Sequence, residues 1–337
     1  MTRPLRSLGF LTIGLFDRDD PRAGHETTLS IIERGERLGF DNAWLRDRHL
    51  QYGISSPVAV LAAASQRTSR IRLGTAVIPL GWENPLRLAE DLATVDVLSG
   101  GRLQPGFSVG PPRRLDEIAP ALYPNTADRE DFGYERLARL RRFLAGVQVS
   151  PFAGTEGIEE YSERIEPHAA GLADRLWYGA GSPTSTAWAA ENGFHLLTSS
   201  VIQSVHSTDF DAEQDAQIRQ YRETHPDGER ARVSQGLVVV PTDSATPEQV
   251  RRYEAYAEAR RGRVGIPQGP KGLLFAEDIV GTSEQIAERL LSSRSFPQVD
   301  EVAFALPFDF APDDYVQILE DIAGRLGPLL GWESPAA

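Results

Sequence analysis

The sequence predicts an α/β fold of the (β/α)₈ TIM-barrel class, built as one domain over residues 1–337. Three observations predict it. Short apolar, β-rich runs alternate with helical segments along most of the chain, the pattern of parallel βαβ units. The first strand runs into Phe16-Asp17-Arg18-Asp19-Asp20, an acidic stretch where a doubly wound dinucleotide fold would carry its Gly-rich turn. The length suits one barrel with insertions.

Each element follows from local signals. Leu8–Phe16 reads as the first strand and Glu26–Leu38 as its helix, stopped by Gly39. Asn42–Leu45 is the second strand, and Pro57 marks the start of the helix Pro57–Gln66. Ile71–Ile78 is the third strand, with the helix Pro85–Leu98 closed by Gly100 and Gly101. Leu103–Val109 is the fourth. Regularity lapses over 110–174, where only Tyr134–Leu144 reads as helix, so an insertion or long connection follows strand four. Alternation resumes with strands Leu176–Ala180, His195–Ser199, Val233–Val240 and Glu301–Ala305. Helices Ser185–Asn192, Asp211–Thr224, Thr246–Arg261, Thr282–Leu291 and Asp313–Leu326 accompany them. A second insertion, residues 244–278, follows strand seven; its Gly- and Pro-rich part, Gly262–Asp278, is a candidate lid. The tail after Gly327 is expected to be loose.

Composition narrows the function. A net charge of −13 argues against nucleic acid as a partner, because such binding needs a basic surface to displace counterions. With no cysteine, disulfides, thiolate metal sites and cysteine nucleophiles are excluded. The six histidines form no HxxxH or HxH pair, so no metal is expected. The basic, apolar start is interrupted by Gly9 and Gly14, and no run approaches the roughly 18 apolar residues of a membrane span. A cytoplasmic protein without a membrane partner is expected.

A barrel holds its site at the C-terminal ends of the strands. Asp47, Arg48 and His49 place an acid, a cation and an imidazole there, either for proton transfer or as a hydrogen-bonded rim. The stretch Tyr178-Gly179-Ala180-Gly181-Ser182-Pro183-Thr184-Ser185 empties a strand into a helix start. Its backbone N–H groups and hydroxyls suit an anion, although Ser182 and Ser185 also suit simple helix capping. Arg113 and Arg114 either assist that anion or form a solvated pair. Thr75–Pro79 ends a strand in small residues, which admit a flat ring or merely pack the barrel. His195 begins a strand, so it belongs to the opposite barrel face and reads as structural. Trp44, Trp82, Trp177 and Trp188 read as core or rim. Lys271, the one lysine, sits in the candidate lid rather than at a strand end, which disfavours Schiff-base chemistry.

Several stretches together resemble the bacterial luciferase-like flavin-dependent oxidoreductases. Gly39-Phe40-Asp41-Asn42-Ala43-Trp44-Leu45-Arg46-Asp47-Arg48-His49 resembles the strand ending in an acid–His motif. Thr68-Ser69-Arg70-Ile71-Arg72-Leu73-Gly74-Thr75 resembles the family's third strand, and Asn84-Pro85 through Leu98-Ser99-Gly100-Gly101-Arg102 its helix. Gly181–Trp188, Gly193–Ser199 and Val280-Gly281-Thr282 complete the likeness. The resemblance implies a monooxygenase that takes reduced flavin mononucleotide (FMN) from a separate flavin reductase and uses O₂ on a small organic substrate. It also admits a deazaflavin-dependent hydride-transfer enzyme or a non-catalytic flavin-binding protein, and a homodimer. It places the flavin ring near Ala76 and Val77, where the family often carries a non-prolyl cis peptide bond. Gly181, Ser182 and Ser185 would meet the phosphate, and Ala180 beside them would also contact the cofactor. Ser108 and Ser199 would line the flavin region, and His49 would face the substrate. Two departures stand out. Arg48 occupies one of the adjacent histidine positions, and Val109 stands where an arginine meets phosphate, leaving Arg113 or Arg114 to replace it.

Overall fold

The structure, a computed structural model, describes residues 4–334; residues 1–3 and 335–337 of the expected 1–337 domain lie outside them. Ten hydrogen-bonded segments form one parallel sheet. They reduce to eight strand positions: β1 (Ser7–Thr12), β2 (Asn42–Leu45), β3 (Arg72–Thr75, then Ile78–Pro79), β4 (Leu103–Gln104, then Gly106–Ser108), β5 (Trp177–Gly179), β6 (His195–Thr198), β7 (Val233–Leu237) and β8 (Glu301–Ala305). The two halves of β3 pair with the two halves of β4. β4 pairs with β5, β7 with β8, and β8 with β1. The pairings return to their start in a TIM-barrel-like α/β fold.

The helices between barrel strands form close to where the sequence places them, several with a side-chain cap. Asp20 accepts a hydrogen bond from the Ala23 N–H ahead of Pro21–Arg37, and Asn84 caps Pro85–Ser99, which Gly100 ends in the left-handed region at φ 70°. Outward side chains such as Leu8, Phe10, Leu73, Phe107 and Phe304 are fully buried beneath these helices. Inward positions alternate with them. Asn42 and Trp44 face in on β2, Trp177 on β5, and Glu301 and Ala303 on β8.

The barrel floor is built from two edge-to-face tryptophans, Trp44 and Trp177, with ring centroids 5.4 Å apart. Gly74 makes that arrangement possible, since a Cβ there would lie 2.3 Å from Trp44 Cε3. Below the floor, Arg232 pairs with Glu301 at 2.6 Å and lies 4.7 Å over the Trp177 ring. His195 packs edge-on to the same ring at 4.9 Å. Burial, followed by the neighbouring Arg232, pulls His195 down to about 3.

Several expectations are corrected. The strand predicted over Val233–Val240 divides, because Val239–Pro241 leaves the barrel to pair with Ile279–Gly281. The 110–174 stretch holds a further helix, Leu115–Leu122, and a hairpin of Gly154–Glu156 with Glu159–Tyr161. The tail after Gly327 is docked: Gly327–Leu329 is a helical turn, and Leu330 and Trp332 are buried. The Trp332 indole N–H donates to Asp41 at 2.9 Å, a tether invisible from local sequence. No helix among the described residues is long and apolar enough to cross a membrane.

Candidate active site

At the C-terminal ends of the strands lies a cavity of about 880 Å³. One wall is Ala76-Val77, whose peptide bond is cis. The facing strand end is Gly179-Ala180-Gly181. A Cβ on Gly179 would come within 2.8 Å of Val77 Cγ1, whereas one on Gly181 would meet nothing within 4 Å. The first glycine lets two strand ends approach; the second leaves open space before a helix N-terminus. A cavity of this size, with small residues where a flat ring would rest, fits a flavin.

The expected site residues divide into two groups. Asp47, Ala76, Val77, Arg113, Ala180, Gly181 and Ser199 line the cavity. Arg48, His49, Ser108, Ser182 and Ser185 do not. Ser182 and Ser185 are engaged with each other: each hydroxyl accepts the other's backbone N–H, at 3.3 and 3.1 Å. This capping box orders the start of Pro183–Glu191 and leaves Gly181 as the member of the loop that lines the cavity. The Ser199 hydroxyl donates to the Val201 carbonyl at 2.9 Å and shapes the turn after β6. Arg114 pairs with Glu117 at 2.6 Å on the surface, leaving Arg113 as the cavity's arginine from this loop.

Beside the cavity stands a compact acid–imidazole cluster. Asp47 is buried at the end of β2, with neither carboxylate oxygen hydrogen-bonded, and its Oδ2 lies 3.3 Å from His49 Nε2. The His49 ring stacks on Trp82 with centroids 4.2 Å apart and planes 15° from parallel. Ligand atoms of Asp47, His49 and Glu83 all fall within 4.8 Å of one another. Such a trio can share a proton or receive a divalent cation. Burial and the Asp47 carboxylate hold Glu83 above the ordinary carboxylate range. Arg136, buried on the helix Tyr134–Leu144, positions this edge: its guanidinium donates to the Glu83 carbonyl at 2.7 Å and to the Tyr123 hydroxyl at 2.8 Å. In sequence Arg136 is remote from the strands it serves, and local pattern gave no sign of its role.

Two cations were missed as cavity residues. Arg46 follows inward-facing Trp44 by two positions, so the strand alternation carries it to the cavity wall. Its guanidinium is pulled down to about 10 by burial and by Arg48. Lys271 also lines the cavity, reaching it from the candidate lid stretch rather than from a strand end. It arrives because Leu273–Phe275 pairs antiparallel with Val201–Gln203, drawing the 262–278 stretch across the barrel mouth. The Ala276 N–H donating to the Ser200 carbonyl at 2.9 Å extends that seam.

Comparison with known proteins bears on this arrangement. Limonene 1,2-monooxygenase of Rhodococcus erythropolis is 36% identical over 137 residues, 40% of this chain and 34% of that protein. The F420-dependent glucose-6-phosphate dehydrogenase of Amycolatopsis mediterranei (strain U-32) is 30% identical over 194 residues, 52% of this chain and 54% of that protein. The chain thus spans between a third and about half the length of these curated relatives. The crystal structure of the monooxygenase RslO1 from Streptomyces bottropensis shares the fold, with a TM-score of 0.72 at 18% identity over 96% of this chain and 99% of that one. A family described as luciferase-like monooxygenase matches residues 8–296. With its parallel barrel, its cis Ala76-Val77 wall and a match over most of its length, the chain belongs to the luciferase-like monooxygenase family.

Proposed function

We propose that this chain is a flavin-dependent monooxygenase acting with reduced FMN, supplied by a separate reductase, and O₂ on a small organic substrate. The observation that carries the reading is the cavity walled by Ala76-Val77 and Gly179–Gly181 at the strand ends. Gly181 and the helix start behind it would receive the phosphate, with Arg113 as its cationic partner. Ala76, Val77 and Ala180 would bound the ring. A bound reduced flavin supplies the electrons with which O₂ delivers one oxygen atom to the substrate and the other to water.

The chain's own residues exclude water and handle the proton. Leu11, Leu197, Val201 and Phe275 give the cavity apolar walls, and Leu273–Phe275 covers its mouth. His49, held between Asp47 and the Trp82 ring, would move the proton at Nε2 through Asp47, which reaches the cavity where His49 does not.

Ultraviolet–visible titration with oxidised FMN, reduced FMN and deazaflavin, followed by oxygen uptake with reductase-fed FMN, tests the reading. FMN binding with substrate-dependent oxygen uptake supports it. Deazaflavin binding without oxygen uptake moves the chain to the alternative of hydride transfer; one relative is named an F420-dependent glucose-6-phosphate dehydrogenase. Flavin binding with no turnover in either assay leaves a flavin-binding protein. Replacing His49 by Ala or Asn should lower turnover by about 10²–10⁴-fold while FMN still binds; unchanged turnover removes His49 from the chemistry.

A further inference from the structure

The cavity wall carries a charge that the rest of the molecule does not share. The chain has 48 acidic residues against 35 basic ones. Yet the cavity is lined by Arg46, Arg113 and Lys271, with Asp47 the only carboxylate among its lining residues. Asp47 is turned toward His49. Among the described residues, no carboxylate oxygen lies within 4.0 Å of the side-chain nitrogens of Arg46, Arg48, Arg113 or Lys271. Elsewhere the structure readily pairs its arginines, as at Arg232 with Glu301, Arg175 with Asp96 and Arg260 with Asp278.

The three arginines are also mutually repelling. Burial and Arg48 weaken the proton affinity of Arg46, and burial and Arg113 do the same to Arg48. The Arg48 guanidinium lies 5.6 Å over the Phe308 ring, its Nη1 donates to Gln51 at 3.2 Å, and its buried Nε has no hydrogen-bond partner. Keeping a half-buried guanidinium beside like charges is costly, and filling the cavity with a neutral molecule would strip more water from it. An anion reverses both terms, because a guanidinium presents two parallel N–H groups to a carboxylate or sulfonate.

Position separates this charge from the phosphate end of the cavity. Gly181 follows β5, whereas Arg46 follows β2, three strand positions away around the barrel and directly above Trp44. Arg113, from the loop after β4, stands between the two.

We infer that the substrate is a small organic anion, a carboxylate or sulfonate, whose charged group is held by Arg46, with Lys271 the other cavity cation not given to the phosphate and Arg48 adding its charge from outside the lining. The inference rests on the flavin reading above and names the substrate class of that same cavity. It assigns Arg46 to substrate binding and makes Arg48, at the position where the family resemblance expects a histidine, a positioning residue that acts through its charge on Arg46.

The test is calorimetric binding of benzoate and of its neutral isostere benzamide to the full chain, with and without saturating FMN or deazaflavin. Benzoate should bind the FMN-loaded protein about tenfold or more tightly than benzamide, a preference that added salt weakens. Arg46→Met should abolish that preference and Arg46→Lys should restore part of it, with melting curves showing that both variants fold. Should Arg46→Met not fold, Lys271→Met, at the other cavity cation not given to the phosphate, should still weaken benzoate selectively. Equal binding of the two probes, or benzoate affinity unchanged in these variants, overturns the inference. So does loss of benzoate binding on loading FMN or deazaflavin, since these cations would then belong to the cofactor. If neither flavin binds but the benzoate preference persists, the flavin reading fails and the anion site stands.

Discussion

The floor beneath the cavity makes its own prediction at low pH. His195 is held neutral by burial and by Arg232, and its value falls from the ordinary 6.5 to about 3. The unfolded chain therefore takes up a proton below pH 6.5 that the folded chain refuses until near pH 3. The His195 contribution to stability is then fully present above 6.5 and is lost as pH falls toward 3. At about 1.4 kcal/mol per pH unit, the loss reaches about 2 kcal/mol at pH 5 and about 3 kcal/mol at pH 4. That is a substantial share of the roughly 5–15 kcal/mol that holds a typical domain together. His195→Gln keeps a polar group of similar length at the edge of Trp177 and removes the titration. Urea unfolding of both proteins at pH 7 and pH 5 isolates the effect, because every other titrating group is common to them. The variant should be the less stable at pH 7 and should close about 2 kcal/mol of that gap by pH 5. Parallel losses in the two proteins would show that His195 does not titrate in this range and would refute the argument.

Other outcomes follow from the site and its support. Glu83 is held above its ordinary 4.5, so its ionisation is a cost to the folded state that is absent below pH 4.5 and complete once pH exceeds the raised value. Glu83→Gln should therefore raise the melting midpoint at pH 7 and leave it nearly unchanged at pH 4; an equal shift at both would dismiss the carboxylate repulsion. Gly74→Ala places a methyl against Trp44 in a filled interior and should destabilise the fold by about 1–3 kcal/mol in urea titrations. A neutral result there would mean that the tryptophan pair can move aside. Gly181→Val fills the open space before the helix and should weaken FMN binding about tenfold or more in spectral titration with the melting curve retained; unaltered affinity would place the phosphate elsewhere.

Local pattern was enough for the barrel because each strand and helix announces itself within its own dozen residues. Asn42–Leu45, Tyr134–Leu144 and Glu301–Ala305 match their expected bounds. Gly181 was legible because a barrel puts its site at strand ends, whereas Ala76 and Val77 came from the family resemblance, since small residues at a strand end serve packing equally well. Arg46 was overlooked although its signal was present: reading the cluster after the strand drew attention from the two-residue period that carries Trp44 and Arg46 to one side. At Ser182 and Ser185 the capping half of the sequence reading is what the geometry displays, since hydroxyls at a helix start satisfy its free N–H groups. Lys271, Arg136 and Trp332 reach their places through contacts with distant segments, and no window of adjacent residues encodes those.

The pleat of β2 also constrains how this sequence can vary in length. Its four residues are paired on both sides, to β1 and to β3, so the strand cannot slide relative to either neighbour without breaking a ladder. A single-residue insertion or deletion between Asn42 and Leu45 would exchange its two faces, swinging Arg46 toward the helices and an aliphatic side chain into the cavity. Gains and losses in this stretch are tolerable only outside the paired residues, in the turns before Asp41 or after His49. An alignment of relatives that opens a one-residue gap within it has therefore misplaced the cavity wall, whatever identity it recovers on either side.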